Sequence, residues 1–311
     1  MTTGRHTPTR LATGGDNAIA VTLAILGDEW NLWILRHAMA DARRYGDWMA
    51  QGSISNSVLS SRLASLTESG LFVQEQYSER PVRFEYVLTP RGRAVWPILI
   101  AMWAWEQEWA PASEAPLPTM HHTACGHDFH PRLGCRSCGN PADAHDVVAA
   151  FGPSGDWSRS VPTSVGRRRS QTAVQPSELL PHTMELLGNR WSASFLGALF
   201  LGAHRFRDFA ERTGASPAIV SDRLRRFVEL GVVKTRSNAE RPDWRTYQLT
   251  QKGLAFFPVV ILMIAWGQDW FEAPEGPALV LTHTACGGPF HPELLCGTCG
   301  QPLTGASIGV R

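Results

Sequence analysis

The chain has 311 residues, of which 43% are hydrophobic and 18% charged, and its formal net charge at pH 7 is +1. This composition excludes a disordered or collagen-like chain, and the length suits two domains that each bury a core. The longest apolar run, around residues 258–266, is too short to span a bilayer, and residues 1–16 contain no apolar signal core. We therefore expect a cytoplasmic protein.

The sequence contains the same module twice, with equivalent residues separated by a constant offset (188 − 27 = 161, 286 − 125 = 161). Gly27 matches Gly188 and Cys125 matches Cys286, and the match runs without a gap from about residue 18 to about residue 141. A constant offset over this length indicates a duplicated domain and not a short-period solenoid. One chain could therefore do what a homodimer of the single module would do.

The sequence of each copy predicts four helices, a hairpin and a long helix, in that order. Asp28 is a suitable N-cap for the second helix, and Asn189 stands at the same place in copy two. The fourth helix is amphipathic, with apolar side chains at helical spacing on one face and mostly polar ones on the other. Its inward residues are Leu59, Leu63 and Leu66 in copy one, and Val220, Leu224 and Phe227 in copy two.

The hairpins are predicted from two short strand-like runs around an Arg-Pro turn. In copy one the runs are residues 71–77 and 83–88, and in copy two they are residues 232–236 and 244–249. The long helices follow Thr89 and Thr250 and are rich in tryptophan. Between the copies, residues 152–177 are rich in Gly, Pro, Ser and Arg, which is typical of a flexible linker.

Three helices, a hairpin with arginines at its tip and a polar helix face describe a winged helix-turn-helix. In this fold one helix enters the DNA major groove and the wing reaches the phosphates or the minor groove. The sequence therefore predicts a mainly α fold with small β-hairpins (α+β): two tandem winged helix-turn-helix domains, each followed by a zinc-ribbon-like motif. The predicted boundaries are a flexible N-terminus 1–16, domain one 17–111, metal motif one 112–141, linker 142–177, domain two 178–272, metal motif two 273–303 and tail 304–311.

Both copies resemble the HxlR-type winged helix-turn-helix transcriptional regulators. The segments that carry the resemblance are LGDEWNLWILRHAM, RRYGDW and SNSVLSSRLASLTESGLF…RPVRFEYVLTPRG in copy one, and LGNRWSASFLGALF, HRFRDF and SPAIVSDRLRRFVELGVV…RPDWRTYQLTQKG in copy two. The resemblance implies a sequence-specific DNA-binding regulator that dimerises through its terminal helices. Some family members sense redox state through a Cys at the start of the first helix, but Asn17 and Glu178 stand there in this chain.

The resemblance also implies which residues face double-stranded DNA. Ser55–Ser65 and Ser216–Arg226 would be the recognition helices, and the segments around Arg80–Arg83 and Arg241–Arg245 the wings. Residues 17–110 hold eight Arg against ten acids, whereas residues 178–271 hold twelve Lys and Arg against nine. We therefore expect copy two to anchor the complex through phosphate contacts and copy one to adjust sequence choice. The candidate DNA-binding residues are Arg44, Ser55, Asn56, Ser57, Ser60, Ser61, Arg80, Arg83, Arg205, Ser216, Ser221, Arg225, Arg226, Arg241 and Arg245.

All six cysteines lie in the two copied tails, three in each. The pattern His122-x-x-Cys125…Cys135-x-x-Cys138 recurs as His283-x-x-Cys286…Cys296-x-x-Cys299. Such spacing predicts one closed, structural Cys₃His zinc site per copy and two Zn²⁺ per chain. The alternative fourth ligand is His130 or His291. If the cysteines bind no metal, the alternatives are a reversible Cys135–Cys138 disulfide and unreactive thiols.

Four tryptophans of the long helices are candidates for an interface between the copies: Trp105, Trp109, Trp266 and Trp270. They could instead enclose a planar small-molecule effector. No phosphate loop, nucleophile elbow or metalloprotease motif predicts an enzyme. The sequence thus predicts a transcriptional regulator that acts as an intramolecular pseudo-dimer, either as a single chain or as a dimer of tandem chains. The alternative is a small-molecule sensor or sequestering protein that binds DNA weakly.

Overall fold

The computed structural model describes residues 7–110, 117–162, 180–237 and 245–311. Within these ranges each copy forms the predicted helices and hairpin, followed by a small β-rich tail. The helices of copy one are α1 (Ala18–Leu26), α2 (Glu29–Met39), α3 (Tyr45–Met49), α4 (Asn56–Glu68), α5 (Pro90–Arg93) and α6 (Trp96–Trp109). Its strands are β1 (Thr9–Arg10), β2 (Phe72–Glu79), β3 (Val82–Leu88), β4 (Met120–His122), β5 (His127–Asp128) and β6 (Pro131–Cys135).

A connecting segment follows with β7 (Val147–Phe151) and α7 (Trp157–Ser160). The helices of copy two are α8 (Pro181–Leu187), α9 (Arg190–Phe200), α10 (Phe206–Thr213), α11 (Pro217–Glu229), α12 (Gln251–Leu254) and α13 (Phe257–Trp270). Its strands are β8 (Val233–Ser237), β9 (Arg245–Leu249), β10 (Phe271–Glu272), β11 (Leu279–His283), β12 (Pro292–Cys296) and β13 (Ile308–Val310), with a 3₁₀ turn at Gly305–Ser307.

Side-chain caps explain where the helices of copy one begin. The Asp28 carboxylate accepts a hydrogen bond from the Asn31 amide, as the sequence predicts, and the Ser55 hydroxyl accepts one from the Val58 amide. The inward faces are also confirmed, because Leu59, Leu63 and Leu66 of α4 are fully buried. Copy two keeps this packing with Val220, Leu224 and Phe227 of α11.

The first helix of each copy packs against the last helix of the other copy. At the contact between α1 and α13, a Cβ at Gly267 would lie only 2.0 Å from the Thr22 hydroxyl oxygen, so glycine allows the close approach. At the contact between α6 and α8, the equivalent residue is Glu106, which is buried. Its carboxylate accepts hydrogen bonds from the amides of His182 and Thr183, at 2.9 and 2.8 Å, and from the Thr183 hydroxyl. The carboxylate thus caps the first helix of copy two.

The tails of the two copies are interleaved. Strand β6 pairs antiparallel with β12, and Leu133 lies opposite its own equivalent, Leu294 (294 − 133 = 161). Strand β7 pairs with β11 and β13 pairs with β4, so that the strand after each tail joins the tail of the other copy. The reciprocal backbone bonds from Arg136 to His291 (2.9 Å) and from Gly297 to His130 (3.0 Å) obey the same symmetry.

Three segments that the sequence assigned to a flexible N-terminus, a linker and a tail contain regular secondary structure. In the N-terminal region, residues 9–10 form β1, which pairs in parallel with β10. In the predicted linker, residues 147–151 and 157–160 form β7 and α7, whereas residues 163–177 lie outside the described ranges. In the predicted tail, residues 308–310 form β13. Backbone pairing across the copies orders these segments, and composition alone does not reveal such pairing.

The apolar helix of copy two is longer than the run 258–266 suggests. Among the described residues, the stretch Gln251–Trp270 is long and apolar enough by length and composition to cross a membrane, with a mean hydropathy of 1.4. The fold buries 56% of an 18-residue window of that stretch, which is typical of a core helix in a globular protein.

Candidate metal clusters and nucleic-acid interface

The eight predicted metal ligands form two clusters, and each cluster draws on both copies. One contains His122 and Cys125 from copy one with Cys296 and Cys299 from copy two. Its ligand atoms all lie within 4.8 Å of one another, and the Cys299 Sγ is 3.4 Å from the His122 Nδ1. We call this cluster A.

Cluster B contains the equivalents of the residues of cluster A, with the two copies exchanged. It contains Cys135 and Cys138 from copy one with His283 and Cys286 from copy two. The His283 Nδ1 lies 3.4 Å from the Cys138 Sγ and 3.5 Å from the Cys286 Sγ. The imidazoles of both clusters are buried, and the His283 Nε2 has no hydrogen-bond partner among the described residues.

Tight turns bring the two ligands of each pair together. The Gly126 amide donates to the His122 carbonyl at 2.9 Å, and the Gly139 amide donates to the Cys135 carbonyl at 2.7 Å. Both glycines adopt positive φ, at 75° and 73°, which a residue with a Cβ adopts only with strain. The equivalent glycines Gly287 and Gly300 close the turns of copy two.

Geometry and chemistry both fit a tetrahedral metal ion. With Zn–S near 2.3 Å and Zn–N near 2.0–2.1 Å, ligand atoms of a tetrahedral site lie roughly 3.5–3.8 Å apart. Burial acts to raise the pKa of the Cys135 thiol, but amides of Ser137, Cys138 and His291 donate to it and hold its pKa below the ordinary value. The pKa of Cys296 is lowered in the same way, against the effect of burial, by the amides of Cys299 and Thr298. Such amides favour the thiolate, the form that binds a metal.

The expected grouping of four ligands within one copy is therefore wrong, although the eight residues are the predicted ones. The antiparallel β6–β12 pairing places the Cys-x-x-Cys turn of each copy beside the His-x-x-Cys turn of the other. The clusters contain His122 and His283 and not His130 or His291. The His130 Nε2 instead faces the Ala104 carbonyl at 3.3 Å. All six cysteines are free, so neither tail contains a Cys–Cys disulfide.

The polar face of α4 is exposed, but two of its candidate residues contact Tyr45. The Tyr45 hydroxyl lies 3.0 Å from the Asn56 Oδ1 and 3.2 Å from the Ser60 Oγ. Asn56, Ser57, Ser60 and Ser61 are all exposed, and Ser55 is half-buried as the N-cap. Nearby, the Arg44 guanidinium lies 4.3 Å from the centre of the Tyr77 ring, in the half of β2 that is close to the hairpin turn.

The basic charge of α11 is largely paired with acidic side chains. Arg225 contacts Asp222 at 2.8 Å and Glu229 at 3.1 Å. Arg226 reaches back to Glu185 of α8 at 3.1 Å, so it lies beside the first helix of its copy. These ion pairs reduce the free positive charge that the sequence assigned to this helix. Ser216 and Ser221 are exposed at its surface.

The two wings differ in chemical character. In copy one Arg80 and Arg83 are exposed, but so are Val82 and Phe84, which are 60% and 48% accessible. In copy two the exposed residues of β8 and β9 include Lys234, Arg236 and Arg245, and Arg205 is exposed beside them. Arg241 lies outside the described residues.

The four candidate tryptophans lie in packed contacts, and none of them lines the apolar cavity between α1, α9 and α13. The Trp105 Nε1 donates to the Lys252 carbonyl at 3.0 Å, and the Trp266 Nε1 donates to the Arg91 carbonyl at 3.2 Å. Trp105 is equivalent to Trp266 and Arg91 to Lys252, so the two bonds are reciprocal. These contacts favour the interface reading over an aromatic enclosure for a ligand at this seam.

Sequence reasoning did not identify Glu106 as a contact between the copies. Its equivalent in copy two is glycine, and an unmatched residue in a duplicated pattern was the available signal. No such signal distinguishes the two possible groupings of the metal ligands. Both groupings use equivalent residues of identical motifs, so the offset of 161 (283 − 122) is the same in each.

Comparisons of the sequence with known proteins assign both copies to one helix-turn-helix family. The family model described as HxlR-like helix-turn-helix matches residues 25–114 and again residues 186–275. An uncharacterized HTH-type transcriptional regulator of Mycobacterium tuberculosis, MT3179, is 37% identical over 131 residues, which are 42% of this chain and 83% of that protein. The Synechocystis regulator sll1512 is 36% identical over 86 residues, 27% of this chain and 64% of its own length. A solved structure of a transcription factor candidate, PA1607, is 31% identical, covers 43% of this chain and 93% of that chain, and has a TM-score of 0.37.

Proposed function

Because this chain belongs to the HxlR-like helix-turn-helix family of DNA-binding transcriptional regulators, we propose that one polypeptide acts as an intramolecular pseudo-dimer. In this proposal α4 and α11 read two half-sites of one operator in double-stranded DNA. The family is one of regulators and not of enzymes, and we expect this member to act in the cytoplasm, where its DNA lies.

The observation that carries the proposal is the reciprocity of the contacts between the copies. The Trp105–Lys252 and Trp266–Arg91 hydrogen bonds are related by the duplication, and so are the β7–β11 and β13–β4 pairings. Repeated heterologous contacts would not produce such pairs, whereas a two-fold axis does. Dimeric helix-turn-helix proteins use this symmetry to bind half-sites about 34 Å, or a multiple of that, apart.

Clusters A and B would each hold one structural Zn²⁺. His122, Cys125, Cys296 and Cys299 supply one complete tetrahedral donor set, and the residues of cluster B supply the other. Four protein ligands leave no open position, so the metal would stabilise the interleaved tails and not catalyse a reaction. Each ion would connect the two copies.

The alternative function is a small-molecule sensor or sequestering protein whose DNA affinity is weak. The observation that favours it is the pairing of Arg225 and Arg226 with Asp222, Glu185 and Glu229, which leaves α11 with little unpaired positive charge. Response to a small aromatic effector is compatible with both functions.

The test is footprinting of the purified chain on its own promoter, with its mass in solution measured in parallel. A monomeric chain that protects two major-groove segments supports the pseudo-dimer. A monomer that protects one segment contradicts it. A protein that protects neither and yet melts cooperatively supports the sensor.

A further inference from the structure

An apolar cavity of about 120 Å³ lies between the two copies. Its wall is formed by α1 of copy one, by α9, α13 and β11 of copy two, and by residues of the connecting segment 144–161. No residue that lines it carries a formal charge. The hydroxyls of Thr22, Ser160 and Ser194 each donate to a backbone carbonyl, so they are occupied within the protein.

Three small residues of α9 contribute to the space in this cavity. Ala193, Ser194 and Gly197 line it, and their equivalents in copy one are the larger Leu32, Trp33 and Arg36 (193 − 161 = 32). Leu32 and Trp33 are buried in the core of copy one. The smaller side chains at these three positions leave space that the equivalent residues of copy one would fill.

We propose that this cavity binds a small, uncharged ligand of one aromatic ring. An apolar engineered cavity of about 150 Å³ in another protein stays dry and binds benzene, so a void of this size and lining suits a single ring and rejects a charged one. The proposal deepens the function above, because such a ligand would be the effector of the regulator.

The wall of the cavity also contacts the DNA-binding unit of copy two. Trp157 lines the cavity, and the Arg212 guanidinium of α10 lies 5.9 Å from the centre of its ring. Arg212 also donates to the carbonyl of Leu201, another lining residue, at 2.9 Å. A ring that displaces Trp157 or Leu201 therefore acts on α10, the helix that precedes α11.

The experiment compares toluene with benzoate, which has the same ring but a charge, in thermal melts and calorimetric titrations of the full chain. Toluene should raise Tm in a concentration-dependent way, and benzoate should leave it unchanged. Two matched variants locate the site. Ala149 lines the cavity and the neighbouring Ala150 is exposed, because successive strand residues face opposite sides. Ala149→Leu should abolish the toluene effect, and Ala150→Leu should retain it.

A second filling variant is Ala193→Leu, which introduces the residue that copy one has at this position and fills the cavity from α9. It serves as the test if Ala149→Leu fails to fold. Equal toluene shifts in the native chain and in a folded filling variant would overturn the proposal, as would no binding to the native chain. Neither measurement depends on DNA. A chain that protects its promoter but does not bind toluene would therefore contradict the ligand proposal and leave the proposed regulatory function standing.

Discussion

Leu133 and Leu294 lie directly opposite each other in the β6–β12 pair, although they are the same residue of the duplicated module. A residue that pairs with its own equivalent marks the position of a two-fold axis, and the strand pairings between the tails are arranged about it. The ligand exchange between the clusters follows from this pairing, because antiparallel strands place the end of one tail beside the start of the other.

Paired cysteine substitutions should distinguish the observed clusters from the within-copy grouping. The native chain should contain about two zinc ions per molecule. Cys125→Ala with Cys296→Ala removes two ligands of cluster A alone and should leave about one ion. Cys125→Ala with Cys135→Ala damages both clusters and should leave about none. Elemental analysis after desalting measures the ratio. Within-copy sites would give the opposite order for the two double variants.

Chelation should destabilise the interleaved tails, because metal binding is coupled to the folding of its site. We expect a strong chelator to lower Tm and to increase amide exchange in β4, β6, β11 and β12. The recognition helices α4 and α11 should keep most of their protection, since neither supplies a ligand. A chain that melts at the same temperature before and after the removal of metal contradicts this role.

Glu106→Gln should destabilise the chain by about 1–3 kcal/mol, because a charged acceptor of three hydrogen bonds at a helix N-terminus becomes neutral. Chemical denaturation measures the loss. Glu108→Gln is the matched control, since Glu108 stands two residues further along, with 54% of its side chain exposed. Equal effects of the two substitutions would show that the cap contributes nothing specific.

His37 should make the stability of copy one depend on pH. Burial, with a smaller effect from Arg36, lowers the pKa of His37 to about 4, against an ordinary value of 6.5. Between these two values the unfolded chain binds a proton that the folded chain does not, so stability falls as the pH drops from about 6.5 to about 4. His37→Gln should reduce this fall in denaturation curves at several pH values. His122 and His283 are present in both proteins, so their effects cancel in the comparison.

Substitutions on β8 and α4 should separate phosphate attraction from sequence reading. Arg236 is exposed on the basic strand of copy two, so Arg236→Ala should weaken binding to all sequences and reduce the salt slope by about one. Asn56→Ala should relax the preference at one half-site with little change in that slope. Arg225→Ala should have a smaller effect than Arg236→Ala, because Asp222 and Glu229 already pair with it. The control is Arg136→Ala, in the tail.

If Arg236→Ala and Asn56→Ala lose the same affinity with the same slope, the expected division of labour between the copies is wrong. The comparison requires measurements at two or more salt concentrations, since phosphate contacts are recognised by their salt dependence.

The sequence predicted the helices well because their signals are local. Caps such as Asp28 and the spacing of Leu59, Leu63 and Leu66 act within one element. It also identified all eight metal-ligand candidates, whose spacing is a local property of each turn. It did not reveal which turn meets which, because identical motifs offer two groupings that only tertiary pairing distinguishes.

The order of residues 147–151 and 308–310 was hidden for a similar reason. Each segment becomes a strand only beside a partner from the other copy, so its own composition suggests a linker or a tail. The charge of α11 was overestimated because formal counts ignore partners such as Glu185, which is distant in sequence and adjacent in space.

The exchange of ligands between the copies sets an order of events during synthesis. Domains generally fold as they leave the ribosome, N-terminal domain first. In this chain the tail of copy one cannot complete its folding first. Cluster B is complete only after Cys286 has been synthesised, and cluster A only after Cys299. A chain that stops after its first copy would hold one helix-turn-helix domain and two of the four residues of each of clusters A and B. Because the copies are fused, the tail of copy two is present at a high effective concentration beside the tail of copy one. Separate subunits would need a high expression level to reach the same concentration.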